Sequence, residues 1–596
     1  MAQFSTILAS LASLSPDRRG KQFEYYCKWF LQNDCRYRAQ IKNVWLWHEW
    51  PNKWDSRDKG VDLIAETYSG ELWAIQAKAY AENYYIKKED IDTFLSESSR
   101  KQIAYRLLIA TTDLIGPNGL EVIKGQEKQV GTCLLYDLEA SSLDWSLALG
   151  GPETIIKQEP KTPRPHQLRA INDVLLGFEK YDKGQLYMAC GTGKTLVGLW
   201  VAKELQSHLT LVLVPSISLV AQLYQAWAEN SGEFSFDPIF VCSDSTVVNK
   251  KSDDDSLHIQ SSELGFPVTT SVQELHDKLI HNPSRTKVVF STYHSSPLLA
   301  DVCKLNPAIS FDLAIADEAH RCAGAAKSYF ATIINSKAIG CKRKLFMTAT
   351  SKIFSSNVKQ RTEECAYEIV SMDDPDKFGP VFHTLSFSDA IREGLLTDYQ
   401  VVVSVIDNAT YQDYAQKGRF VIFDDHETDA RTLASQLLVA KAMRQYDLKK
   451  VISFHSRKKS AQEFVQTFDK VLPLLEVAER PQLVYKETIF GDMPQSKRRT
   501  IIKAFEKLSH NDAGLIANVR CLSEGVDVPA LDGIVFIDPK GSVIDIVQSV
   551  GRVIRSSAHK KIGTIIIPVF LDAQIDEVID LEKSCFQVVW KVIKAL

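Results

Sequence analysis

The sequence predicts an α/β protein in which several parallel-sheet units follow one another along one chain, and three observations carry that prediction. Short β-rich runs alternate with helix-compatible segments over most of the 596 residues, the pattern of parallel α/β layers. An apolar approach, Gln185-Leu186-Tyr187, leads into Met188-Ala189-Cys190-Gly191-Thr192-Gly193-Lys194-Thr195 and then into an apolar helical run from Leu196 to Trp200. A second apolar run, Phe311 to Ala316, ends in Asp317-Glu318-Ala319-His320. At the usual domain size this length corresponds to about three to four domains.

Breaker clusters divide the chain. Residues 1–150 form an N-terminal module. Residues 151–163, from Gly151-Pro152 to Pro160-Lys161-Thr162-Pro163, read as a linker. A first lobe spans 164–375. The cluster Asp373-Asp374-Pro375-Asp376, followed by Gly379-Pro380, marks the handover to a second lobe over 376–575. Residues 576–596 read as a helix with Val588-Val589-Trp590 and Val592-Ile593 on its apolar face; it has no C-cap glycine, so a chain that continues is expected. Lys250 to Ser256 is a polar surface loop.

Bulk properties narrow the class. A hydrophobic content of 45% supplies several cores. The net charge of -4 gives no global nucleic-acid signature, but a local basic strip is enough to follow a phosphate backbone. Eleven cysteines without a C-x-x-C pair fit free thiols in a reducing compartment. No basic signal-peptide region and no membrane-spanning apolar run is read, so a soluble, cytoplasmic protein is expected.

In the N-terminal module, Gly20 to Leu31 reads as an amphipathic helix bearing Glu24. Gly60-Val61-Asp62-Leu63-Ile64-Ala65 reads as a strand, Gly70 as a hairpin turn, and Leu72 to Lys78 as the returning strand. Gln76 and Lys78, two residues apart, share one strand face, and pairing brings Asp62 to them. A carboxylate, a second oxygen ligand and a lysine suit Mg²⁺-assisted phosphodiester hydrolysis, with Asp62 and Gln76 as metal ligands. Trp45, Trp47, Trp50 and Trp54 read as core packing before base stacking. Lys87-Lys88 and Arg100-Lys101 read as solvated faces.

The glycine turn after Met188 reads as a phosphate cradle: Gly191, Thr192 and Gly193 let backbone N–H groups approach phosphate, and the following helix adds its dipole. Lys194 then reaches the β/γ-phosphates of ATP and Thr195 ligates Mg²⁺. Asp317, at a strand's C-terminal edge, is the expected metal carboxylate and Glu318 the base that polarises water.

Taken together, these segments resemble a superfamily 2 helicase or translocase of the DEAH type, with two RecA-like lobes. Further motifs stand in the family's order: Arg164-Pro165-His166-Gln167, Val214-Pro215-Ser216, Ser291-Thr292-Tyr293-His294, Thr348-Ala349-Thr350, Ile452 to Arg457, Arg520 to Pro529, and Gln548 to Arg555. The resemblance implies that Gln167 reads adenine. It implies that the segments at Val214 and Ser291 touch the nucleic-acid backbone, and that Thr348 to Thr350 couples hydrolysis to lobe movement. Gly525, Asp527 and Gln548 join the nucleotide site, and Arg552 and Arg555 act as arginine fingers.

The N-terminal module resembles the PD-(D/E)xK nuclease fold in its Mrr-like branch, a restriction-endonuclease-like domain, over about residues 16 to 110. There the acidic member is often glutamine, as in Gln76-Ala77-Lys78, and Glu24 matches a residue that supports the metal. Glutamine removes one negative charge from the site. The whole arrangement is similar to the N-terminal part of Type ISP, single-polypeptide Type I-like, restriction enzymes. In that family the same chain continues into methyltransferase and target-recognition domains, whose motifs are not read here. The resemblance implies an ATP-dependent double-stranded DNA translocase coupled to a Mg²⁺-dependent endonuclease. Three alternatives stay open: a stand-alone phage-defence or repair nuclease-helicase, a motor whose N-terminal module only binds DNA, and an RNA helicase.

Overall fold

The computed structural model describes residues 3–55, 60–150, 159–242, 261–325, 329–335, 337–355, 369–404, 420–423, 426–491, 493, 495–509, 511–519, 531–538, 542–555, 560, 562–568 and 587–595. Three main sheets follow one another. The N-terminal module has β1 (Ile41–Leu46), β2 (Leu63–Thr67), β3 (Leu72–Lys78), β4 (Ile103–Ala110) and β5 (Val130–Cys133) in that spatial order. β1, β2 and β3 pair antiparallel, and β3, β4 and β5 parallel. Two helices matter to its site: α1 (Pro16–Asn33), with Pro16 in its first turn, and the short α2 (Leu135–Glu139).

The expected strand at 60–65 begins later, at Leu63, with Gly60 at a positive φ of 95° and Asp62 already bonded to Ile75 O. The expected hairpin turn is present, with Gly70 at φ 85° and its N–H on Thr67 O. Phe4, Trp29, Phe30 and Trp145 form one buried aromatic stack against this sheet. The tryptophans expected to pack do so. Trp47, Trp50 and Trp54 lie edge to face or tilted on one another, with centroids 4.7 to 5.8 Å apart, and Arg100 stacks on Trp54.

The second unit contains α3 (Pro165–Lys180), β6 (Lys183–Met188), α4 (Lys194–Glu204), β7 (Leu209–Val214), α5 (Ile217–Asn230), β8 (Asp237–Val241), β9 (Lys287–Thr292), β10 (Leu313–Asp317), β12 (Lys344–Thr348) and β14 (Val381–Leu385). Its seven-stranded sheet runs β14-β6-β12-β10-β7-β9-β8, all parallel. β11 (Gly324–Ala325) and β13 (Ile369–Val370) form a small separate ladder.

β14 moves the lobe boundary. The breaker cluster was expected to hand the chain to the second lobe at 375–376, but it turns the chain back onto the first sheet. Gln185 N–H donates to Pro380 O at 2.9 Å and the Gln185 amide to Gly379 O at 2.9 Å. A Cβ on Gly379 would sit 2.2 Å from Lys183 O, so glycine permits this close return. The handover therefore falls between Leu385 and Asp398.

The third unit comprises β15 (Asp398–Ser404), β18 (Lys450–Phe454), β19 (Leu483–Phe490), α6 (Gln495–Glu506), β20 (Ala513–Val519), β21 (Gly533–Phe536), α7 (Val543–Val553), β22 (Ile562–Pro568) and α8 (Gln587–Ala595). β16 (Phe420–Phe423) and β17 (His426–Asp429) pair with each other. The six-stranded parallel sheet is ordered β15-β22-β21-β18-β20-β19. The helix expected over 576–596 is described from Gln587. Its apolar residues Val589, Val592 and Ile593 are buried, and Tyr399 OH donates to Ile593 O. The polar run 250–256 lies outside the described residues. The eight described cysteines are free, and no described helix is long and apolar enough to cross a membrane.

Replacing Trp145, 1% exposed, by alanine removes the centre of the aromatic stack. The expected loss is about 3–5 kcal/mol from the N-terminal module, read as an earlier first transition in denaturant unfolding, with the later transitions unchanged.

Candidate functional site

The first site forms where β2 enters the five-stranded sheet. Asp62 donates its N–H to Ile75 O at 2.9 Å, and its Oδ2 accepts from Ala77 N–H at 2.7 Å. That bond places the carboxylate beside the Gln76-Ala77-Lys78 strand. Gln76 is 2% exposed; its amide donates to Gly60 O at 3.2 Å, while its Oε1 has no hydrogen-bond partner. Lys78 ends the strand, half-buried.

Glu24 arrives on α1. Burial pushes the neighbouring Cys27 thiol well above its usual pKa, and Cys133, Asp62 and Glu24 add to the shift. Both carboxylates thus lie within electrostatic reach of one buried sulfur. Asp62 is held against the Gln76-Ala77-Lys78 strand, and Glu24 shares with it the buried Cys27 sulfur. Among the described residues no group of three His, Cys, Asp or Glu side chains is placed to hold a metal. Any ion here relies on the Gln76 oxygen with the carboxylates. A buried carbonyl oxygen without a partner is a hard donor of the kind Mg²⁺ takes, so the residues fit such an ion.

The second site forms between β6 and α4. Gly191 and Gly193 adopt left-handed φ values of 86° and 88°, which wrap the loop so that its N–H groups converge. A Cβ on Gly193 would lie 2.3 Å from Gln167 Nε2. Gln167 is buried: its Oε1 accepts from Arg164 N–H, and its amide donates to Thr192 O at 3.3 Å. The side chain expected to read adenine therefore also braces the loop. His166, given no role in the sequence reading, shares this work through Nε2 and Thr192 O at 2.9 Å. Thr192 Oγ1 donates to Ala189 O, and Thr195 stands half-buried on the first turn of α4.

Lys194 Nζ donates to Met188 O at 3.2 Å. Burial alone would depress its pKa, but Glu318, Cys190 and Asp317 raise it above the usual value, so the ammonium stays charged. Asp317 ends β10, buried, and Glu318 sits in the left-handed region at φ 49°, a conformation uncommon for a non-glycine residue. His320 Nδ1 lies 3.4 Å from Glu318 Oε2 and 3.0 Å from Thr348 Oγ1. A path of two contacts thus joins the acidic strand end to Thr348-Ala349-Thr350.

Tyr293 differs from expectation. It was placed among residues touching nucleic acid, but it is fully buried and its OH donates to Asp317 O at 2.7 Å. Ser291 and Thr292 are buried too, leaving His294 as the partly exposed member. Ser216 serves as the N-cap of α5.

The other lobe closes over the loop. A Cβ on Gly551 would be 2.9 Å from Cys190 Cβ, and one on Gly191 would be 3.7 Å from Arg555 Cγ. Arg552 and Gln548 are buried on the same helix, α7. Burial pushes the Cys190 thiol up; Lys194, Arg555 and Arg552 oppose this and Glu318 adds to it, which places the arginines at the cradle. The segment Arg520 to Pro529, with Gly525 and Asp527, lies outside the described residues.

Three family models match the chain in order: Restriction endonuclease over residues 32–154, Type III restriction enzyme, res subunit, over 160–353, and Helicase conserved C-terminal domain over 429–557. Among curated proteins, the "Probable helicase A859L" of African swine fever virus isolate Tick/Malawi/Lil 20-1/1983 is 25% identical over 420 residues, covering 69% of this chain and 41% of the viral protein. The corresponding protein of isolate Pig/Kenya/KEN-50/1950 is 25% identical over 423 residues, with the same coverage. The solved structure "ATP-dependent Type ISP restriction-modification enzyme LlaBIII bound to DNA" superposes with a TM-score of 0.82 at 29% identity, over 99% of this chain and 39% of that one. The chain thus spans about two fifths of the length of these proteins.

His455 at the end of β18 gives a pH prediction. It is 6% exposed, and burial lowers its pKa from 6.5 to about 4, with Asp538 opposing. Between these values the unfolded chain binds the proton and the folded one does not, so stability falls as pH drops from 6.5 to 4. The ceiling is about 3 kcal/mol. Acid unfolding of His455→Gln should lose that dependence, and an unchanged profile would disprove it.

Proposed function

We propose that this chain, a restriction-endonuclease-type domain fused to a superfamily 2 helicase core, is an ATP-driven DNA translocase that delivers its own endonuclease to double-stranded DNA, as in restriction of foreign DNA. The observation that carries the proposal is the coexistence of two separate sites in one chain. One is the Asp62–Gln76–Lys78 sheet end; the other is a phosphate loop with Arg555 seated against Gly191. The match to a Type ISP enzyme described as ATP-dependent and bound to DNA supports DNA as the track.

At the motor site, Lys194 would neutralise the β/γ-phosphates of ATP, held charged by Glu318 and Asp317. Thr195 and Asp317 would hold Mg²⁺, and Glu318 would orient the attacking water. Arg552 and Arg555, delivered by the other lobe, would stabilise charge on the transferring phosphoryl group only while the lobes are apposed. That condition ties hydrolysis to movement, and the Glu318–His320–Thr348 contacts provide a route for it. Gln167 would meet adenine with the remaining lone pair of Oε1 while it braces the loop. Gln548, and Gly525 and Asp527 by resemblance, would complete the nucleotide site.

At the nuclease site, Asp62 and the free Gln76 oxygen would hold the metal, with Glu24 in support. When bound, Mg²⁺ supplies charge neutralisation at phosphate and polarises it toward attack. Lys78 would orient water and stabilise charge on the phosphate oxygens. Because glutamine gives this site one charge less than an acid would, a DNA-binding module without turnover is the second reading.

Mg²⁺- and ATP-dependent plasmid cleavage, measured beside DNA-stimulated ATPase, separates the readings. Asp62→Ala and Lys78→Ala should each lower cutting by about 100-fold or more and leave ATPase intact. Lys194→Ala should remove ATPase. Unchanged cutting by Lys78→Ala would select the binding module, and RNA-only stimulation would select an RNA helicase.

A further inference from the structure

The N-terminal module touches both helicase lobes, and the two contacts differ in kind. Against the first lobe it is held by a packed interface whose hydrogen bonds run mostly between neutral groups, with Arg285 stacked 4.5 Å over Tyr68. Tyr224 OH donates to Arg36 O, and Gln40 donates to Tyr224 OH. Gln129 makes a reciprocal pair with the Val268 backbone at 2.6 and 2.9 Å. A Cβ on Gly265 would stand 3.3 Å from Thr132 O, so the backbones meet closely.

Against the second lobe the contact is ionic. Arg499 Nη1 of α6 lies 3.0 Å from Asp137 Oδ1 of α2, and its guanidinium stacks 4.3 Å over Tyr136. One turn further, Lys503 pairs with Glu139. The four charged side chains are 14 to 28% exposed. Partly buried pairs of this kind depend on close geometry, and separating the partners leaves both charges uncompensated until water reaches them. A module tied firmly to one lobe and by charge to the other must break the charged contact when the lobes separate.

This contact adjoins the proposed cleavage site. The end of β4 anchors two things at once. Thr111 and Thr112 hydroxyls hold Tyr80 O, Glu82 O and Tyr84 O of the loop that leaves Lys78. The next residue, Asp113, accepts from Tyr136 N–H at the start of α2 at 2.9 Å. Displacing α2 therefore acts on the strand end that positions the Lys78 loop.

We propose that the α2–α6 contact is a latch that couples the position of the nuclease to lobe closure. It is made while the second lobe covers the phosphate loop and broken when the lobes open. The proposal rests on the motor-and-nuclease reading above, and its test has an arm that does not need cutting.

Hydrogen exchange on the full chain would compare residues 135–139 with a non-hydrolysable ATP analogue and with ADP. The analogue should protect the segment relative to ADP, and Lys503→Glu should abolish that difference. In plasmid cleavage, Lys503→Glu should reduce the ratio of cutting with ATP to cutting without it by about fivefold or more, with ATPase retained. Glu139→Lys combined with Lys503→Glu should restore both readouts. Equal exchange in the two nucleotide states, or no recovery in the swapped pair, overturns the latch. A wild-type chain that never cuts defeats the nuclease reading instead, and the exchange arm still decides the latch.

Discussion

The close approach of α7 to the loop after β6 governs the arrangement of the two helicase lobes. A Cβ on Gly551 would stand 2.9 Å from Cys190 Cβ, so no larger side chain fits there without displacement, and Arg555 packs at ordinary contact distance on Gly191, whose left-handed φ of 86° favours glycine. The loop can present its backbone this way because Gly191 and Gly193 both take left-handed φ values, and because His166 and Gln167 brace it from α3. Pre-organised N–H groups and an arginine-bearing partner surface are what phosphoryl transfer demands, since most of that catalysis is positioning and charge stabilisation. A shift of α7 by a small distance would separate the arginines from the cradle.

The same constraint extends outward through buried polar contacts. The buried Tyr293 hydroxyl donates to the Asp317 carbonyl. His320 touches both Glu318 and Thr348. These side chains are buried and their bonds are directional, so the acidic strand end and the segment after β12 do not move independently. The restriction-endonuclease-like module contacts the first of these lobes through a packed interface and the second through the Arg499–Asp137 and Lys503–Glu139 pairs.

The nuclease end is built on a different economy. Asp62 is held by a backbone N–H of the next strand, and Gln76 is buried with its oxygen free. A neutral donor at this position lowers the repulsion between acidic ligands and also lowers the attraction for a cation.

Much of this was written locally in the chain. The phosphate loop, the acidic strand end, the β3 strand and the spacing of Gln76 and Lys78 follow from neighbouring residues, because glycine turns and strand alternation act over a few positions. The sheet hairpin at Gly70 was legible for the same reason. Other features depended on contacts distant in sequence. The breaker cluster at 373–380 reads as a boundary, but pairing of Val381–Leu385 with β6 keeps the chain in the first lobe. Tyr293 reads as a nucleic-acid contact until the fold buries it under Asp317. The bracing by His166, the seating of Gly551 on Cys190 and the charged contact of α2 with α6 had no local signature. Each joins groups from separate segments, and only the packed tertiary structure brings their atoms within bonding distance.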